Sequence, residues 1–280
     1  MGLRTLLLTG AGLAGGLVGA VAVGVIVWNA ETGRLAARLR TCNESEAPYS
    51  RDDLAGLPDP VARYFDFALT PGQSLVRGAR LRQTGAMALR PDSWSRFTAT
   101  EYFGVDPPGF VWDANIHVAP LVWVHVRDGY WAGEGTMTGK LAAIVPVVDE
   151  HGTPEMASAE LLRYLAEAVL LPTALLPRHG IAWTALDDQT ARATVADAGM
   201  TVSCDVSFGE RNQIERIRAM RYRDVDGKSV LVPWVGHFGD YRRIDGMMIP
   251  MSADVEWVLA GEKVPYWRGR VVEARYEFAP

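Results

Sequence analysis

TPEMASAELLRYLAEAVLLPTALLP, residues 153–177, is the one long helical pattern outside the first 30 residues. Thr153 suits an N-cap, Pro154 the first helical position, and Glu155 the first turn, where the helix dipole favours negative charge. Leu161, Leu165, Ala168 and Val169 recur at helical spacing and make one apolar face. Glu160, Arg163 and Glu167 make a second stripe, which either meets solvent or lines a groove. Pro172 ends the pattern, so the helix is expected over about 154–171.

On both sides of this helix the period changes from 3.6 to 2. Phe97, Ala99, Glu101 and Phe103 alternate with Arg96, Thr98, Thr100 and Tyr102. Trp112, Ala114, Ile116 and Val118 share a face opposite Asp113, Asn115 and His117, and Val122, Val124 and Val126 alternate with Trp123, His125 and Arg127. Pro107-Pro108-Gly109, Ala119-Pro120 and Asp128-Gly129 are expected turns. Residues 133–148, GEGTMTGKLAAIVPVV, are Gly-rich and are expected to add a strand leading to the helix. Alternation resumes over 181–195 and 200–208, then in segments 213–223, 228–241, 247–259 and 268–278. About eleven antiparallel strands in ~230 residues must curl or close. The expected fold is therefore mainly β (α+β). One highly curved antiparallel sheet, a half-barrel or open barrel, carries the central amphipathic helix on its concave side, behind an N-terminal transmembrane helix.

The chain divides into a tail (1–5), an apolar span (6–28), a linker (29–50) and a single β-rich domain (51–280). Leu6 to Trp28 is uncharged, and at about 1.5 Å per residue it spans a bilayer core of roughly 30 Å, with Trp28 expected at the interface. Gly10, Gly12 and Gly15 spell a dinucleotide fingerprint, but the helix after them is apolar all round, unlike an amphipathic crossover helix. No small-residue cleavage site follows, so an uncleaved single-span anchor is expected. Gly12, Gly16, Ala20 and Gly24 stand four apart, a spacing that either pairs two anchors in a homodimer or merely fills the bilayer. Arg34, Arg38 and Arg40 outnumber Arg4, which by charge alone leans toward a cytoplasmic domain. A short helix follows the linker, with Asp59 as cap, Pro60 as first residue and Val61, Phe65, Ala68 and Leu69 inward.

A net charge of −5 with no basic run argues against nucleic-acid partners. Cys42 and Cys204 form no disulfide framework or zinc spacing, and Cys204 falls in an apolar phase as a core thiol. None of the five histidines sits in a ligand motif. His117 and His125 on successive strands give two ligands at best, so no metal and no cofactor is expected. No complete catalytic motif is present, and no GxSxG nucleophile turn.

The phrases PPGFVWDA (107–114), LLRYLAEA (161–168), PTALLP (172–177), RYRDVDG (221–227), PWVGHFGDYRRIDGMMIP (233–250) and PYWRGR (265–270) carry a resemblance. Over about 57–278 the chain resembles a bacterial family of membrane-anchored proteins known only as a domain of unknown function. That likeness implies no catalytic residues. The turn DYxxxxGxxxP at 240–250, between two alternating strands, looks like the periplasmic lipoprotein-carrier half-barrels, which hold acyl chains inside a curved sheet covered by helices. This second likeness implies an extracytoplasmic domain on a bacterial cytoplasmic membrane, against the charge count.

Nine tryptophans are a heavy aromatic load. Trp112, Trp183, Trp234 and Trp257 are candidates to line a cavity for an apolar ligand, with core packing as the ordinary alternative. Arg163, Glu167, Arg221 and Tyr241 are candidate polar contacts, and Arg163 or Arg221 is expected to pair with Glu167 or Asp240, in a site or in a network holding helix to sheet. The expected function is a membrane-anchored binding or carrier domain for a lipid-like ligand. The alternative is an enzyme on a lipid-soluble substrate, with Glu167 or Asp240 as acid or base.

Overall fold

The computed structural model describes residues 3–40, 47–90 and 93–280, with side chains in the first helix from residue 16 onward. Two antiparallel meanders make one sheet. The first comprises β1 (Val76–Arg90), β2 (Ser93–Gly104), β3 (Gly109–Ala119), β4 (Val122–Trp131), β5 (Glu134–Leu141) and β6 (Val145–His151). The second comprises β7 (Ala182–Asp187), β8 (Thr190–Asp197), β9 (Met200–Phe208), β10 (Ile214–Val225), β11 (Lys228–Ile244), β12 (Met247–Leu259) and β13 (Glu262–Phe278). β1 pairs with β13 from Val76↔Phe278 to Met87↔Trp267 and joins the two halves. β6 and β7 are left as the two edges, so the thirteen-stranded sheet stays open.

α3 (Pro154–Glu167) links one edge strand to the other, so it has to cross the face of the sheet. It touches β3, β4 and β5 on one side and β8, β9 and β10 on the other. A helix reaches strands so distant in the order only if the sheet curls around it, as accumulated strand twist allows. Tyr130 on β4 donates to Asp197 Oδ2 on β8 at 2.6 Å across that curl.

Thr153 caps α3 as expected, its Oγ1 accepting from the Met156 amide at 3.1 Å. Leu161, Leu165, Ala168 and Val169 are buried. The α-helix stops at Glu167 and continues as 3-10 turns at Ala168–Leu170, Pro172–Leu175 and Pro177–His179, because neither proline has the N–H that an α-helical ladder requires. The charged stripe does not meet solvent. Glu160 is buried, and Arg163 and Glu167 also turn toward the sheet.

Thirteen strands replace the expected eleven for two reasons. β1, rich in Ala, Gly and Arg, has little strand propensity and is held by its two neighbours. Residues 133–148 contain β5, a turn at Ala142-Ala143 and the start of β6. Asp128-Gly129 is no turn; it lies inside β4, opposite Trp112 and Val111 of β3.

α2 (Asp59–Ala68) buries Val61, Phe65 and Ala68, with Pro58 rather than Asp59 at the cap position. α1 (Leu3–Arg38) runs well past the expected boundary, so the first part of the supposed linker is helix. Cys42 lies outside the described residues; Cys204 is buried as expected. Trp28, expected at a membrane interface, is only 1% exposed and packs on the sheet. Its Nε1 donates to Asp113 Oδ1 at 2.9 Å, and the Arg127 guanidinium lies 4.1 Å over its ring.

Candidate functional site

Arg163 is the hub between α3 and the inner face of the sheet. Its Nε donates to Glu167 Oε1 at 3.0 Å, one helical turn on, its Nη2 to Glu101 Oε1 on β2 at 3.2 Å, and its Nη1 to Asp128 Oδ2 on β4. The guanidinium stacks 4.8 Å from the Phe110 ring and 5.3 Å from that of Trp112. Gln83 extends the chain of bonds, donating to Glu101 Oε2 at 2.6 Å and accepting from Trp112 Nε1 at 2.9 Å. A second unit lies beside it. Arg221 on β10 donates to Glu160 Oε1 at 2.9 Å and to the Ala159 carbonyl at 3.2 Å, with its guanidinium 5.9 Å from the Trp257 ring. Trp257 stacks on Tyr266, whose hydroxyl accepts from Trp234 Nε1 at 2.9 Å.

Two guanidinium groups face four carboxyls in this space, so full ionisation leaves an uncompensated negative excess away from water. The carboxyls respond as burial dictates. Burial, and then the neighbouring Glu167, raise Glu101 well above the usual carboxylate range. Burial raises Asp128 against the pull of Arg163 and Arg221. Burial and the Asp128 carboxylate push Glu160 up to about 8. Burial works against the charge of Arg163, and the surrounding carboxylates outweigh it, so that the guanidinium is held charged. Among the described residues Asp128 Oδ1, Glu160 Oε2 and Glu167 Oε2 are buried without a hydrogen-bond donor. Glu101, raised by burial and by its neighbour Glu167, is a source of such a donor proton.

An apolar cavity of about 50 Å3 opens beside this network. Glu167 and Gln83 supply its polar end, and Leu170, Trp234, Met251 and Trp267 are among its walls. The opposite face of the sheet carries two shallower grooves, of about 780 and 310 Å3, that share Thr84, Thr98 and Asn115; Arg96, Arg268 and Arg270 line the larger.

The structure thus brings together Trp112, Trp234, Trp257, Arg163, Glu167 and Arg221. It separates the other candidates. Trp183 sits on β7 and donates to the Leu175 carbonyl at 3.0 Å, packing the 3-10 turns. Tyr241 donates to the Ile214 carbonyl at 2.6 Å and meets Phe67 edge-on, far from the charged cluster. Asp240 is exposed on β11, in a left-handed conformation with φ 51°, and pairs with Arg270 and Arg242, which hold its carboxyl below the usual range. It is neither the partner of Arg163 or Arg221 nor a poised acid. His117 lies opposite Trp123 and His125 opposite Asn115, so the two histidines are not cross-strand partners.

Glu101, Asp128, Gln83 and Tyr266 join the site without having been singled out for it. Glu101 carried a legible signal, a carboxylate in the apolar phase of Phe97, Ala99 and Phe103. Asp128 was masked by the glycine after it, which imitates a turn.

Fold and site define a class: an open, curled β-sheet closed over one helix by a buried ionic network, carried on an N-terminal apolar helix. Residues 47–269 match the model of a family of unknown function (DUF6544), and the chain belongs to that family. It is similar to a LolA superfamily protein from Nitrosomonas europaea, at 10% identity over 81% of this chain and 96% of that one, with a TM-score of 0.35. It is also similar to a beta-barrel-like protein of a domain of unknown function (DUF1849) from Brucella abortus, at 12% identity over 73% and 99%, with a TM-score of 0.20. No curated protein matches the chain.

Proposed function

We propose that the protein is a membrane-anchored binding domain that takes an apolar or amphipathic, lipid-like ligand between α3 and the curled sheet. The observation that carries this reading is the apolar cavity walled by Leu170, Trp234, Met251 and Trp267, with the Glu167 carboxyl at its edge. Such a cavity accepts a hydrocarbon segment and offers Glu167 and Gln83, with Ser252 and Arg270 also in its lining, to a polar end. Its ~50 Å3 is well below the roughly 300 Å3 at which small-molecule pockets begin, so uptake includes a widening between the 3-10 turns and β12.

The helix from Gly16 to Arg38 is long and apolar enough to cross a membrane. Its far half supports the anchor reading, because Trp28 and Thr32 are built into the domain and would be lost with a cleaved leader. Native mass spectrometry of the full chain released from detergent tests the binding function. An added mass that organic extraction removes, and that Trp267→Ala diminishes, is expected. A chain that carries no added mass and shows no tryptophan emission change on titration with fatty acid or phospholipid overturns it. The extracytoplasmic placement rests on the resemblance of the 240–250 turn, and protease shaving of right-side-out membrane vesicles tests it.

A second reading, an enzyme on a lipid-soluble substrate, is favoured by one observation. Burial raises two carboxyls of the network, Glu101 and Glu160, the latter to about 8, and Glu101 adjoins the cavity residue Glu167. A bound ligand that turns over in the native chain but persists unchanged in Glu167→Gln would move the assignment there.

A further inference from the structure

We propose that the tips of the β3–β4 and β5–β6 hairpins form a rim that rests in the headgroup region of the bilayer. The proposal depends on the anchor reading of α1 above. In a meander these two tips fall at one end of the sheet, and α1 leaves the domain at that same end. A Cβ on Gly24 would meet the Ala143 carbonyl at 2.8 Å, at the β5–β6 tip. Trp28 lies level with His125, Thr32 with Asp113, and Leu39 reaches Gly104 and Gly109 at the opposite end. The helix therefore runs along the strands, and everything before Gly24 projects past the tips. Leu6 to Val23 is about 27 Å of helix, close to the roughly 30 Å hydrocarbon core, which sets the tips at the membrane surface.

The tips are built for that position. Leu121 is 84% exposed, and Val145 and Val147 are 51% and 52% exposed. Trp123 and Trp94 add exposed indoles, and the Arg268 guanidinium lies 4.6 Å over Trp94. Trp and Arg side by side suit an anionic lipid surface. The backbone points the same way. Five other hairpins place a glycine with positive φ at the turn: Gly133, Gly199, Gly227, Gly246 and Gly261. At the β3–β4 and β5–β6 tips that conformation is taken by Leu121, with φ 60°, and by Ala142 and Ala143, with φ 49° and 62°. A leucine held left-handed and fully in water has a conformational cost and no return; in a lipid interface its burial offsets the strain.

The full chain with Cys42→Ser, carrying single Val18→Cys, Leu121→Cys, Val145→Cys or Leu186→Cys, is labelled with an environment-sensitive NBD fluorophore. Each is reconstituted in phosphatidylcholine–phosphatidylglycerol vesicles with brominated acyl chains. Leu186, exposed on β7 beside α2, is the control. Blue-shifted, bromine-quenched emission at positions 18, 121 and 145, with aqueous emission at 186, is expected. Quenching at 18 with aqueous labels at 121 and 145 overturns the rim and leaves the anchor standing. An unquenched label at 18 overturns the anchor, and the rim with it. A blue shift at 121 and 145 without bromine quenching means that protein, a second copy included, covers the tips, and also overturns the proposal.

Discussion

Trp28 donates its indole proton to Asp113 across 85 positions of sequence, and the bond fastens the N-terminal helix to the outer face of β3. The contact reaches further than one bond. Arg127, largely buried under the helix, donates to the Trp28 carbonyl at 2.9 Å and to Thr32 Oγ1 at 3.0 Å, and pairs with Glu31 at 3.5 Å. The C-terminal end of α1 is thus built into the outer face of the domain.

Trp28→Ala removes a buried indole and the cover over Arg127, and is expected to lower stability by about 3–5 kcal/mol. Asp113→Asn, which keeps an acceptor, is expected to cost about 1 kcal/mol. Guanidinium titrations of the full chain in detergent, followed by far-ultraviolet circular dichroism, measure both.

Arg163→Met leaves Glu101, Asp128 and Glu167 without their shared cation, and is expected to cost about 3–5 kcal/mol. Glu101→Gln keeps one of the two acceptors that meet Gln83 and Arg163 and imitates the neutral form toward which burial pushes this carboxyl, so it is expected to cost far less. Equal losses in the two variants would show that Glu101 acts as a charged partner of Arg163 rather than in its neutral form.

The pH dependence follows from Glu160. Its folded value of about 8 exceeds the ordinary glutamate value of 4.5, so the folded state holds a proton that the unfolded chain releases. This contribution is fully present below about pH 4.5 and is lost as pH rises through about 8. Unfolding midpoints are therefore expected to fall between pH 5 and pH 9, and Glu160→Gln to flatten that slope. A midpoint that rises over this range in the native chain would contradict the assignment.

Burial, reinforced by Asp205, pushes the Cys204 thiol up to about 12. In a Cys42→Ser chain, an alkylating reagent at pH 8 is expected to leave Cys204 unmodified until denaturant is added. Rapid labelling under native conditions would place Cys204 outside the core.

Gly24 and Gly16 belong to one stripe of small residues but have different tasks. Gly24→Leu would drive a side chain into Ala143 and Ile144 and is expected to loosen α1 and lower the unfolding midpoint. Gly16 has nothing within 4 Å, so Gly16→Leu is expected to leave stability unchanged.

The sequence by itself determined the periodic parts of this protein. α3 was legible from Thr153, Pro154 and its leucines, and most strands from their alternation, because each side chain's burial follows from a local period of 3.6 or 2. The count of strands was sufficient to require a curled sheet. What only the tertiary structure decided were the pairings between segments. β1 is a strand because β2 and β13 pair with it, and α1 runs past Trp28 because Asp113 and Arg127 receive it. The site divides the same way: the stripe Glu160, Arg163 and Glu167 is visible on one helix, but the direction it faces is not. Glu101, Asp128 and Arg221 come from strands that a helix touches together only after the sheet has curled, and no local pattern encodes that closure.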